Sequence, residues 1–263
     1  MLPYRKKKRI SSSQHRLRWS DRSWETTTET SSHASSNLIF IKRIPIIEEA
    51  IKITKIYARD GTTVLFLLSY LSNIGNNPMF GDEDVRHSVA VARLAASLGK
   101  KFELRQDELE DMICAGLLHD IGKQELSVEL LRKPKTEMKD VEWNTIQQHS
   151  IASAVMASKV LKNLLGRMFS DKRIEKIVNA IHFHHERFDG SGYPFHIAGR
   201  EIPLYSRIIA VVDVYDALTN PRPYRNFVYT SDGALQLLYK ERKKYDRKIL
   251  DSFRNMIRGE NSK

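Results

Sequence analysis

From Ile44 onward, apolar residues recur with a helical period and polar breaks cut the pattern into segments. Ile46, Ile47, Ala50, Ile51, Ile53, Ile56 and Tyr57 give one helix, which Asp60-Gly61 ends. Residues 62–74 give a second, and Gly75-Asn76-Asn77-Pro78 is a loop. Asp82 is placed to cap a helix that carries Val85, Val89, Val91, Ala92, Leu94, Ala95 and Leu98 to a stop at Gly99. Further helices are expected at residues 107–118, 139–160, 171–183, 204–218 and 231–239. Val211-Val212 is β-branched, yet it sits inside a longer 3.6-residue pattern with Ile208, Ile209, Val214, Tyr215 and Leu218, and its length favours helix. No run alternates as a half-buried strand does, so the expected fold class is all-α.

Residues 1–37 lack that period. They hold the basic run Arg5-Lys6-Lys7-Lys8-Arg9 and a Ser/Thr-rich stretch ending at Ser36, which cannot bury enough surface to offset their ordering entropy. The expectation is a disordered basic tail. Of the net charge of +11, +7 falls within residues 1–43, and the rest of the chain is close to neutral. A solvated tail is the simplest reading, with contact to nucleic acid or an anionic membrane left open. The longest apolar run, residues 63–71, is too short to cross a bilayer, and Lys42 and Arg43 interrupt the apolar stretch before it, so a cytoplasmic protein without a transmembrane span is expected. The single cysteine, Cys114, lies in an apolar stretch and reads as a core residue, which excludes an internal disulfide and a thiolate zinc site.

Seven of the nine histidines fall between positions 87 and 196. His119-Asp120 ends an apolar helix, and a turn at the following Gly122 lets imidazole and carboxylate point into one cavity although helical neighbours diverge by about 100°. His184-His185 ends a second helix and runs into Asp189-Gly190-Ser191-Gly192-Tyr193-Pro194, a turn by its glycines and proline. Imidazole and carboxylate without thiolate suit iron, manganese or similar divalent ions. The chain has no Gly-x-Ser-x-Gly, Walker or dinucleotide-binding motif, so acyl transfer, nucleoside-triphosphate hydrolysis and dinucleotide redox chemistry have no carrier here.

His119-Asp120-Ile121-Gly122-Lys123, His149, residues 184–194, Ile202-Pro203, residues 210–218 and Arg222-Pro223-Tyr224-Arg225 together resemble the HD-GYP family in order and spacing, from Glu83 to Ile249. The resemblance implies an HD-superfamily helical bundle in residues 81–258, with residues 38–80 as N-terminal helices that are either a regulatory remnant or a cap on the core. It implies a phosphodiesterase that hydrolyses cyclic di-GMP to pGpG, and in some members onward to GMP, with a hydroxide bridging two or three iron or manganese ions. The metal ligands it implies are His87, His119, Asp120, His149, His184, His185 and Asp213. Glu83, one helical turn before His87, is an extra carboxylate ligand or a solvent-facing acid of the first turn. Asp120 and Lys123 would be catalytic, the lysine stabilising charge on the phosphoryl oxygens. Tyr193, Asp216, Arg222 and Arg225 would line the substrate groove.

The chain departs from the family pattern beside the ligands. Ser150 and Ser153 replace a usual proline and glycine, residues 124–128 lack a usual proline, and Lys135 replaces a common glycine, which bears on loop geometry and substrate fit. Two other readings stay open: a catalytically weak module that binds the dinucleotide or signalling protein partners, and an HD hydrolase of another nucleotide.

Overall fold

The structure, a computed structural model, describes residues 62–74, 81–221 and 227–260, together with Glu48, Lys52 and Lys55. The tail at 1–37, most of the helix expected at 44–57, the loop at 75–78 and the run from Arg222 to Arg225 lie outside the described residues. Among those described there is no strand, as the periodicity predicts.

Helix α1 is Thr62–Ile74, α2 is Asp82–Lys101 and α3 is Gln106–Leu118. Gly81, not Asp82, caps α2: Asp84 reaches back so that its Oδ2 accepts the Gly81 N–H at 3.1 Å, and Asp82, Glu83 and Asp84 complement the positive end of the helix. Helices α2 and α3 pack tightly at Gly116, where an added Cβ would stand 2.5 Å from the Ala92 Cα. That small residue brings the ends bearing His87 and His119 together.

After α3 come a 3₁₀ turn (Ile121–Glu125) and the short helix α4 (Val128–Arg132). The single helix expected at 139–160 is two: α5 (Asp140–Gln147) and α6 (His149–Leu165), broken at Gln148. Gln148 stays in the right-handed region (φ −66°, ψ −16°) and closes a tighter turn onto Thr145 O, so the hydrophobic period runs through the break undisturbed. Helix α7 (Asp171–His182) starts where Ser170 Oγ accepts the Arg173 N–H at 3.3 Å, and α8 is Leu204–Thr219. Helices α9 (Ser231–Lys240) and α10 (Arg247–Arg258) finish the bundle. Ile249, Leu250 and Phe253 bury one face of α10, and Gly259 stops it in the left-handed conformation at φ 68°.

One core joins these helices except α4 and α5, which bury no residue. Helix α8 crosses it with Ile208, Ile209, Val211 and Val212 fully buried, and α1 adds Val64, Leu67, Leu68 and Leu71 to the same cluster. Cys114 is buried there, and burial raises its thiol well above its ordinary value, as expected for a core residue. No described helix is long and apolar enough to cross a membrane.

Candidate metal centre

Helix ends create this site. Backbone carbonyls in the last turn of a helix have no partner in the helix. Three histidines just past such ends take one each: His119 Nδ1 lies 2.8 Å from Gly116 O, His149 Nδ1 2.6 Å from Ile146 O, and His184 Nδ1 2.5 Å from Ile181 O. A carbonyl only accepts, so each Nδ1 donates and each Nε2 presents its lone pair to the space between the helices. His87, within α2, differs: its Nδ1 donates to Asp216 Oδ2 at 2.6 Å.

Asp120 stands between two groups of these nitrogens. Its Oδ2 is 3.6 Å from His87 Nε2 and 3.3 Å from His119 Nε2, and its Oδ1 is 3.3 Å from His149 Nε2 and 3.9 Å from His184 Nε2. On the first side, Asp213 Oδ1 lies 3.1 Å from His87 Nε2 and 3.8 Å from His119 Nε2. On the second, His185 Nε2 is 3.0 Å from His149 Nε2. Two sets result, His87, His119 and Asp213, and Asp120, His149, His184 and His185, each with one atom per residue within 4.8 Å of the others. His119 Nε2, His184 Nε2 and Asp120 Oδ1 are buried with no hydrogen-bond partner. Each such group costs about 1–3 kcal/mol when left unsatisfied. Three of them aimed into one space, in an all-nitrogen-and-oxygen donor set, fit divalent cations.

Both aspartates and two of the histidines hold the charge states that ligands need. Burial opposes charge on Asp120 and Asp213, but Lys123 and the imidazoles around Asp120, and His119 and His87 beside Asp213, hold both carboxyls well below the usual carboxylate range. Burial and the neighbouring His119 push His184 down to about 3, and burial and His184 push His185 down too, so both rings stay neutral and competent as ligands.

The His119-Asp120 bend comes about differently from the sequence expectation. The helix ends at Leu118, and Asp120 itself turns the chain at φ −106°, ψ 5°. Gly122 serves close packing instead: an added Cβ would lie 2.4 Å from Ser153 N, and the Gly122 N–H donates to the buried Ser153 Oγ at 2.8 Å. Ser150 Oγ donates to Gln147 O at 3.1 Å. The two serines that depart from the family pattern are thus used in hydrogen bonds.

Lys123 Nζ is 2.5 Å from Asp120 Oδ2, at the rim of the ligand cluster. Tyr193 is half-buried, its ring centroid 4.7 Å from that of His185, with its hydroxyl pKa raised by burial. Asp216 is buried between His87 and Asn220, whose Nδ2 donates to Asp216 Oδ1 at 2.7 Å. Glu83 is exposed and belongs to neither ligand set; it lines a cavity of about 220 Å³ with Arg86, His87, Ala90, Asp216, Asn220 and Pro221. The sequence reading passed over Arg86, Trp143 and Glu186. Trp143 meets Tyr193 edge-on at 6.0 Å. Glu186 is buried, and its Oε1 accepts the Phe195 N–H at 2.7 Å. Its backbone is packed so tightly under Gly192 that a Cβ there would lie 2.4 Å from Glu186 Cα, which is why the turn needs that glycine.

The HD domain family model matches residues 69–249. A cyclic di-GMP phosphodiesterase of Pseudomonas aeruginosa is 39% identical over 141 residues, covering 53% of this chain and 31% of that one. The 3'3'-cGAMP-specific phosphodiesterase 1 of Vibrio cholerae is 38% identical over 140 residues, covering 53% and 30%. The cyclic di-GMP phosphodiesterase response regulator RpfG of Xanthomonas campestris is 34% identical over 171 residues, covering 64% and 41%. The chain thus spans about a third of the length of these curated relatives. Among solved structures, an HDG"Y"P protein from Bdellovibrio bacteriovorus aligns with a TM-score of 0.55 at 15% identity, covering 87% of this chain and 75% of that one, a likeness of fold.

Proposed function

The chain belongs to the HD domain family, and from that premise we propose that it is a metal-dependent phosphodiesterase hydrolysing a cyclic dinucleotide, cyclic di-GMP, to pGpG. The observation that carries the reading is the position of Asp120, with one carboxylate oxygen toward each of two histidine groups. His87, His119 and Asp213 would hold one cation and His149, His184 and His185 a second, with Asp120 shared between them. Iron or manganese suits these donors. Such ions supply Lewis acidity, which activates water at neutral pH and offsets charge on the phosphoryl oxygens.

The chain's own residues supply position and charge. Lys123, with a side chain 22% exposed beside Asp120, is placed to meet a phosphoryl oxygen. Lys123 and the surrounding imidazoles keep the buried carboxylates ionised. Tyr193 walls the His149 and His185 side, and Arg222 and Arg225 are assigned to substrate phosphate. The names of the relatives support a cyclic dinucleotide as the substrate class.

The test is hydrolysis of cyclic di-GMP and 3'3'-cGAMP by protein purified without oxygen and loaded with manganese or iron. Release of pGpG from cyclic di-GMP is expected. Binding of dinucleotide without turnover would replace the reading with a binding module, and turnover of neither would point to another nucleotide.

A further inference from the structure

We infer that the cleft between the first two turns of α2 and the end of α8 is a nucleobase subsite, in which Arg86 reads a purine and favours guanine. The inference rests on the phosphodiesterase reading and assigns a residue that the resemblance does not. Glu83, Arg86, His87 and Ala90 line one wall at spacings of three, four and seven residues, a single face of α2. Asp216, Asn220 and Pro221 form the other. His87 is common to the cleft and the ligand cluster, its Nε2 lying 3.1 Å from Asp213 Oδ1. A dinucleotide whose phosphodiester sits at the cluster therefore has this cleft one imidazole away.

Size and charge decide what fits. At about 220 Å³ the cleft is smaller than the roughly 300–1,000 Å³ that encloses a drug-sized ligand, so it takes one part of a dinucleotide. Two carboxylates face it, which opposes a phosphate. Asp216 is already engaged by His87 and Asn220. Glu83 is exposed, and its oxygens are acceptors for the N1–H and N2–H of guanine. Arg86 is exposed as well, and its forked donors suit guanine O6 and N7. Adenine places an amino donor where guanine has O6, and that group would face the donors of Arg86.

The experiment compares the metal-loaded wild type with Arg86→Ala on cyclic di-GMP, cyclic di-AMP and bis(p-nitrophenyl) phosphate, a diester with no base, and measures metal content in both proteins. A bidentate contact of this kind is worth a discrimination on the order of ten- to a hundredfold. The expected result is a fall of that size in kcat/KM for cyclic di-GMP and a narrowed preference over cyclic di-AMP, with metal content and turnover of the base-free diester unchanged. Unaltered kinetics on cyclic di-GMP would overturn the inference, as would an equal loss on all three substrates, which would move Arg86 to the phosphate. If the wild type hydrolyses none of them, the reaction reading fails by itself. Equilibrium binding of cyclic di-GMP against cyclic di-AMP, weakened selectively in Arg86→Ala or not, then decides the subsite.

Discussion

His87 donates its Nδ1–H to the carboxylate of Asp216 at 2.6 Å, whereas His119, His149 and His184 donate theirs to main-chain carbonyls. A carboxylate behind a ligating imidazole fixes the ring and strengthens it as a donor. Asp216→Asn keeps the shape and removes the charge. It is expected to weaken cation binding at the His87, His119 and Asp213 set by about ten- to a hundredfold while sparing the other set. Metal titration resolving two affinities checks this; equal weakening of both, or of neither, would show that Asp216 does not act through His87.

The packing of Gly122 against Ser153 gives a second expectation. Ser153→Ala removes the acceptor of a buried N–H and should cost about 1–3 kcal/mol, seen as a fall in Tm of a few degrees in a domain of this size. Gly122→Ala should cost more than Ser153→Gly, because its Cβ would meet backbone atoms of α6 that cannot give way. Thermal unfolding of the three variants orders them, and a neutral Gly122→Ala would contradict the contact.

Far from the histidines, Arg173 of α7 pairs with two buried acids of α3, Asp111 and Glu110, the latter at 2.6 Å. Removing one partner of such a group leaves uncompensated buried charge, so Arg173→Ala should destabilise by roughly 3–5 kcal/mol without changing the turnover of the protein that remains folded. Urea unfolding and kcat measured on the same sample separate the two effects.

Asp111 adds a pH dependence to that network. Burial raises its carboxyl to about 6 despite Arg173, from an ordinary value of 3.8. Between those values the native state holds a proton that the unfolded state has released, so this group's contribution to stability falls as pH rises from about 4 to 6. Asp111→Asn lacks the effect, and its stability relative to wild type should improve across that window. A difference independent of pH in urea titrations would show that Asp111 stays ionised throughout.

His119, His184 and His185 stood out in the sequence because histidine is scarce and they follow apolar helices, whose orphan carbonyls His119 and His184 also take. The break at Gln148 was hidden because its backbone never leaves the right-handed region, so the period of α5 continues into α6. Helix α10 escaped notice because Ile249, Leu250 and Phe253 are few among charged neighbours, and only the tertiary core gives them a partner. The bond from Gly122 to Ser153 and the one from Asp216 to His87 join residues 31 and 129 positions apart, and nothing local in the chain announces either. Asp216 is assigned to the groove on resemblance alone, and its side chain accepts from His87.

The sharing of Asp120 by two cation sites is proposed to carry the hydrolysis. Its most direct test is metal content and cyclic di-GMP turnover measured together on wild type and Asp120→Ala, with far-UV circular dichroism as the check on folding. Two bound ions per wild-type chain with release of pGpG are expected, and in the variant a helical spectrum with metal and turnover both lost. Near-normal turnover in Asp120→Ala with metal still bound would contradict it.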